Sequence, residues 1–396
     1  MRVANVVGVG MTPFGRHADR SLGDLARSAV SAALADADIP TTDVGLVVFA
    51  NSMAGLISGQ ESIRGQVSLS GSGLDGAPMV NVENACASGA TAVHLAAMAV
   101  AGGQCEVALA VGAEKLYHED KLRTFQALES ALDIAQVDEI RARLGADGED
   151  AAKRSVFMDY YVDVARRYSE RSGATQRDFA QVAVKSREFA ARNERAQFRT
   201  TVTLDEVLAS RIVADPLTLM MCSPIGDGAA AVLVASEEKA CELATPSVRI
   251  LATELRSGEA GTRGKTIPAA IAAAYEAAGV GPEDLDVVEC HDAAAPAELL
   301  LYEELGLSAR GDGIALLWSG ETALGGRIPV NPSGGLLSKG HPVAASGCAQ
   351  VVELTEQLRG GAGERQVEGA SIALAENAGG LLDPDVAACA VTVLAR

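Results

Sequence analysis

No run in this 396-residue sequence reaches the roughly 18 consecutive apolar residues that a membrane-spanning helix needs. Its first residues, "MRVANVVGVGMTPFG", lack the charged-then-apolar order of a secretion signal. The chain therefore reads as soluble and cytoplasmic. Its seven cysteines (Cys86, Cys105, Cys222, Cys241, Cys290, Cys348, Cys389) stand singly, with no CxxC pair and no Cys/His group at zinc spacing. Neither a disulfide framework nor a bound metal is indicated. Positive charge is scarce as well: 33 Lys+Arg face 52 Asp+Glu, a formal net charge of −19 with no basic tract to interrupt it. Nucleic acid and anionic membranes are poor partners for such a surface. An anionic substrate would rely on helix N-termini or a few well-placed Arg or Lys side chains.

Two nucleotide signatures are missing too. "NPSGGLLSKGHP", Asn331 to Pro342, is glycine-rich but lacks GxxxxGK[ST] spacing, and Lys339 follows Ser338 where a phosphate loop has Lys before Ser or Thr. "VVGVGMTPFG" has no third glycine at the position a dinucleotide fingerprint requires.

What the chain does have is a repeat. Apolar residues make up 48%, ample for two domains or one large α/β body. "SAALADADIPTTDVGLVVFAN" (Ser31 to Asn51) and "AAAYEAAGVGPEDLDVVECHD" (Ala272 to Asp292) both read as a helix end, a turn and an apolar strand. "ASGATAVHLAAMAVAGG" from Ala87 and "ASGCAQVVELTEQLRGG" from Ala345 share their Ala-Ser-Gly start and Gly-Gly end, and strand-like runs follow at Val107 and Ile372. Three matched elements in one order point to a duplicated α/β unit. The stretch from about Lys115 to Leu208 has a charged, helical pattern and no strong strand signal, so it reads as a partly solvated helical insert.

Cys86, in "NVENACASGA", sits where a strand should turn into a helix. Helix N–H groups there favour a thiolate and can face a thioester oxygen, although a free cysteine is also commonly a small buried hydrophobe. The repeat places His341 just ahead of the second-half counterpart of that helix, and His291 at the end of a second-half strand. If the halves are related by an approximate two-fold axis, both converge on Cys86, where an imidazole can take the thiol proton. His17, His94 and His118 read as surface or packing residues.

Taken together, "NACASGA", "CSPIGDGAAA", "HDAAAPAELLLYEELGL" and "NPSGGLLSKGHP" resemble the thiolase superfamily, most closely its sterol-carrier-protein-type branch. The resemblance spans essentially the whole chain. It implies a thiolase-like α/β fold with two duplicated halves in a five-layer αβαβα arrangement: residues 1–245, carrying the inserted loop domain at about 115–208, and residues 246–396. It implies coenzyme A thioesters as substrate or product, with no permanently bound cofactor. Cys86 would carry the acyl group and His341 would activate it. His291 would help form one oxyanion hole through a held water, and the backbone N–H groups of Cys86 and of Gly379 or Gly380 would form another. Ser223 matches the serine that contacts the pantetheine arm. A homodimer or dimer of dimers is expected, and a small zinc-ribbon and OB-fold partner protein as well.

The departures bear on substrate. Family members usually carry a second cysteine that moves a proton at the α-carbon; here Asn377 stands at one of its positions and Ala293 at the other. Cys290, adjacent to His291, should point to the opposite face of its strand, and Cys348 should be packed. The expected activity is therefore formation or cleavage of a carbon–carbon bond in a specialised 3-oxoacyl-CoA, such as a branched or aromatic one, or acyl transfer to an activated ring carbon. A retro-aldol lyase acting on a 3-hydroxyacyl-CoA and a non-catalytic scaffold subunit are the alternatives; the retained Cys86 argues against the first, and the retained Cys86, His291 and His341 against the second.

Overall fold

The sequence repeat becomes a symmetry of the sheet. The computed structural model describes residues 2–146 and 154–396. Its main sheet has nine strands, β1 (Ala4–Met11), β2 (Leu46–Ala50), β3 (Met79–Val82), β4 (Val107–Lys115), β5 (Asp227–Ser236), β6 (Val248–Ser257), β7 (Val287–Glu289), β8 (Ile372–Leu382) and β9 (Asp385–Ala395). They lie in the order β3-β2-β4-β5-β1-β6-β9-β8-β7. Outward from the β1/β6 junction, β1, β5, β4 and β2 on one side answer β6, β9, β8 and β7 on the other. The senses of pairing match: antiparallel twice, then parallel. Even β3 has an echo, because Val330 bridges Val288 in parallel just as β3 pairs with β2. The junction itself is a short ladder of Ala4, Asn5 and Val6 against Ile250, Arg249 and Val248.

The helices used below are α1 (Leu22–Ala37), α2 (Ser88–Ala101), α3 (Lys121–Glu129), α4 (Val156–Ser172), α5 (Gln176–Ala190), α6 (Thr266–Ala278), α7 (Ala295–Glu304) and α8 (Ser346–Arg359). α1 starts at Ser21, whose side chain accepts from the Asp24 N–H while Asp24 caps in return, and its Leu25, Ala29 and Ala33 pack on the outer face of the first half-sheet. α6 covers the outer face of the second half-sheet with Ala270, Ile271 and Ala274. α2 and α8 are sandwiched between the half-sheets, where Ala92, Val93 and Ala96 share a core with Cys348, Ala349 and Val352. This gives the five layers. Strands covered on both faces should be apolar throughout, and β5, "DGAAAVLVAS", is buried at every position.

The Ala-Ser-Gly repeat marks where the central helices touch. A Cβ on Gly89 would lie 2.5 Å from the Ala344 carbonyl oxygen, and one on Gly347 2.3 Å from the Ala90 nitrogen. Only glycine lets the two backbones approach this closely.

The insert is less solvated than its charge pattern suggests. Phe179, Val182, Ala183 and Lys185 of α5 are buried, most of them in one core with Leu299 and Tyr302 of α7. Lys185 sits in this core because its Nζ reaches Tyr302 Oη at 2.9 Å, the Val330 carbonyl at 3.0 Å and Glu298 at 2.5 Å. The insert leaves from a hairpin: β8 and β9 are joined by Asp383 and Pro384 alone, whereas the corresponding β4 and β5, paired at Lys115 and Asp227, are separated by residues 116–226. Asp227 closes this neck. Its buried carboxylate accepts from the backbone N–H groups of Leu116 (2.9 Å), Tyr117 (2.8 Å) and His17 (3.1 Å) and pairs with Lys115 Nζ at 3.3 Å. Replacing Asp227 by Ala strands these donors, and a loss of about 3 kcal/mol in unfolding free energy is expected. Urea denaturation measures it; a loss under about 1 kcal/mol would show that the neck does not depend on this carboxylate.

Candidate active site

Cys86 follows a strained turn. β3 ends at Val82, Ala85 adopts φ 48° in the left-handed region, and α2 begins at Ser88. Ser88 Oγ braces the turn by accepting from the Asn84 N–H at 2.9 Å and donating to the Ala85 carbonyl at 2.6 Å. β8 runs directly against it: a Cβ on Gly379 would lie 2.3 Å from the Asn84 carbonyl oxygen and 2.4 Å from the Ala87 nitrogen. Glycine at 379 therefore lets a second-half strand support a first-half turn, and Gly380, at φ 66°, follows beside the thiol.

The two histidines named from sequence meet the cysteine. His341 Nε2 is 3.3 Å from Cys86 Sγ, and its Nδ1 is 2.8 Å from Ser346 Oγ at the start of α8. His291 Nδ1 lies 3.1 Å from Asn377 Nδ2. The imidazole rings are 5.2 Å apart and nearly perpendicular, and ligating atoms of Cys86, His291 and His341 all fall within 4.8 Å of one another. Cys290 Sγ turns away toward Asn331 at 3.5 Å, and Cys348 Sγ is packed against the Gly89 carbonyl at 3.3 Å. His94 contacts Thr253, while His17 and His118 make local contacts at the surface.

Sequence reasoning missed the supports beneath the site. Glu114, fully buried at the end of β4, accepts from Asn51 Nδ2 (2.8 Å) and from the backbone of Ser52 (3.1 Å), Met53 (3.2 Å) and Ala344 (3.3 Å), tying the two halves together. Glu376 on β8 holds the His291 N–H at 3.0 Å. Asp292 holds the Leu336 N–H at 2.6 Å, joining the loops of the two histidines. The signal for both glutamates is an acidic residue inside an apolar strand, "VALAVGAE" and "IALAENAG".

Burial dominates the electrostatics. It pushes the Cys86 thiol up to about 12, with the Glu114 charge adding to it, against the pull of the Gly380 and Cys86 N–H groups. The thiolate expected from the helix terminus is therefore not the resting form. Burial lowers His291 to about 4, and burial with the charges of His291 and Lys339 holds His341 well below its usual range. Burial thus favours the same uncharged pair on both sides, a thiol facing a neutral imidazole.

These groups open onto a cavity of about 730 Å³ lined by both halves and the insert, with Lys121, Arg154 and Arg211 among its residues. Ser223 lies on its wall, its N–H donating to the Ala293 carbonyl at 3.0 Å.

A duplicated α/β body whose halves deliver a cysteine and two histidines to one cavity defines a class, and the whole chain falls in it. Residues 4–238 match the family model "Thiolase, N-terminal domain" and residues 257–394 the one described as "Thiolase C-terminal domain-like". The chain belongs to the thiolase family and is a thiolase-type acyltransferase. It is 38% identical to acetyl-CoA acetyltransferase of Methanothermobacter thermautotrophicus, covering 96% of this chain and 97% of that one. It is 37% identical to sterol carrier protein 2 of Oryctolagus cuniculus (94% and 69%) and 36% identical to benzoylsuccinyl-CoA thiolase subunit BbsB of Thauera aromatica (93% and 92%). Among solved structures, an Ltp2-ChsH2(DUF35) aldolase superposes with a TM-score of 0.79 at 27% identity, over 99% of this chain and 97% of that one.

With the thiol raised to about 12, alkylation of Cys86 by iodoacetamide in the free protein should rise about tenfold per pH unit between pH 7 and 10. Peptide mass spectrometry separates Cys86 from the exposed Cys241. A plateau near pH 7 would instead reveal a resting thiolate–imidazolium pair.

Proposed function

We propose that this chain forms or cleaves a carbon–carbon bond of a 3-oxoacyl-CoA through an acyl-Cys86 thioester. The observation that carries the reading is the 3.3 Å contact between Cys86 Sγ and His341 Nε2. In the cleavage direction sulfur attacks the 3-oxo carbon and its proton passes to His341 Nε2. The resulting alkoxide faces the Cys86 and Gly380 N–H groups. Collapse breaks the C2–C3 bond, and the electron pair moves onto C2, next to the thioester of the departing acyl-CoA. His341 returns its proton to C2. Coenzyme A then attacks the acyl-Cys86 carbonyl, and its thiol proton travels through His341 back to Sγ. His291 steadies the thioester oxygen with Nε2, because Asn377 occupies its Nδ1. Lys121 and Arg211 supply the local positive charge that the phosphates of coenzyme A need in a chain of net charge −19, while Arg154 is paired with the buried Asp159. Ser223 meets the pantetheine arm.

The second reading is retro-aldol cleavage, favoured by the likeness to the Ltp2-ChsH2(DUF35) aldolase and by Ala293 and Asn377 where a second cysteine is usual. That neighbour's DUF35 component also supports a search for a small partner protein. A homodimer is proposed as well: β3 is an edge strand, with Val80 exposed and Ile63 and Val67 exposed beside it.

Intact-protein mass spectrometry after mixing with acyl-CoAs should show a gain of one acyl group on the wild type and none on Cys86→Ala. If Cys86→Ala still cleaves a 3-hydroxyacyl-CoA at the wild-type rate and neither protein takes the label, the retro-aldol reading replaces the first.

A further inference from the structure

The chain is poor in aromatic residues, 4% overall, with one Trp, six Tyr and seven Phe. Four of these, Phe125, Phe157, Tyr160 and Tyr161, line the cavity that reaches Cys86. All four come from the insert: Phe125 from α3, the others from the first turns of α4. None is a fully buried core residue, and each is half-buried with the cavity on its open side. The three on α4 are nonetheless backed by core on two fronts. Phe157 and Tyr160 rest on Leu132, Ile140 and Leu381, while Tyr161 packs against the core of the second half. Tyr160 and Tyr161 stand edge to face, with ring centroids 5.3 Å apart and planes at 73°. Three of the four rings are thus held by packing on their closed side. The cavity of about 730 Å³ is of the size that holds drug-sized ligands, and it takes in both these rings and the Ser223 wall.

We infer that the acyl group carried by Cys86 bears a ring, held against the aromatic wall of α3 and α4. This rests on the acyl-Cys86 reading above and names its substrate class: ring-bearing acyl-CoA thioesters in place of acetyl-CoA. Ring faces and edges give stacked and edge-to-face contacts that a linear acyl chain of equal area cannot. The apolar side chains packed with the cysteine itself, Met53, Leu116 and Val343, are aliphatic, so the rings belong to α3 and α4 alone.

Two measurements test this. The first is the rate of Cys86 labelling by acetyl-CoA, butyryl-CoA and phenylacetyl-CoA, in the wild type and in Phe125→Ala/Phe157→Ala. Phenylacetyl-CoA should label about tenfold faster than acetyl-CoA, and the double variant should bring that ratio below about threefold. The second is the Kd of acetyl-CoA and phenylacetyl-CoA for Cys86→Ala, which cannot be acylated; the ring-bearing thioester should bind about tenfold tighter. Labelling by acetyl-CoA at an equal or greater rate, with equal Kd values, overturns the ring preference and leaves the acyl-enzyme intact. Absence of labelling by all three overturns the acyl-enzyme reading and with it the assignment to an acyl group, even where the Kd values differ.

Discussion

Two helix N-termini lie close enough for their backbones to touch, and the rest of the site follows from that approach. Gly89 and Gly347 leave no side chain between α2 and α8, so the turn before each helix meets its counterpart at the centre of the molecule. The first turn delivers Cys86 and the second follows His341. Any side chain at these glycines would push the helices apart and lengthen the contact between Cys86 Sγ and His341 Nε2. Glu114 reinforces the same seam by binding backbone donors from both halves.

The cost of that seam is electrostatic. Burial raises the carboxyls of Glu114 and Glu376 to about 7, so near neutrality the folded chain holds protons that the unfolded chain has released. For an acid with a raised folded-state value, stability is highest below the ordinary carboxyl range and falls as pH climbs from about 4.5 to about 7, then levels. The same dry interior keeps the thiol and both imidazoles uncharged. An uncharged cluster needs no counter-ion in such an interior, and the Cys86 and Gly380 N–H groups point at its sulfur.

Much of this was legible in the sequence. The duplicated helices and strands announced two halves, and their register brought Cys86, His291 and His341 together before any coordinates. What stayed hidden was hidden for physical reasons. Ser346 is one serine among many until a ring nitrogen lies 2.8 Å away. Asp227 is one acidic residue among many, and only the fold shows four donors converging on it. α5 looked solvated because Lys185 and Ser186 interrupt its apolar face, yet both are buried with partners. The aromatic wall is assembled from α3 and α4, which meet only in space.

The hairpin from which the insert springs sets how such a molecule can vary. In the second half Asp383 and Pro384 close that hairpin; in the first, residues 116–226 do the same job between strand ends that remain paired. Because those ends are neighbours whatever lies between them, lengthening the connection costs the chain little. The insert is clamped at its neck by one aspartate, but it also braces the loop that carries His341: the Gln197 and Phe198 N–H groups donate to the Lys339 and Ser338 carbonyls at 3.0 Å, and Ile225 bridges His341 itself. Free variation is thus confined to the stretch that carries the rings, on α3 and the start of α4, because the remainder of the insert is bound to the loop on which His341 stands.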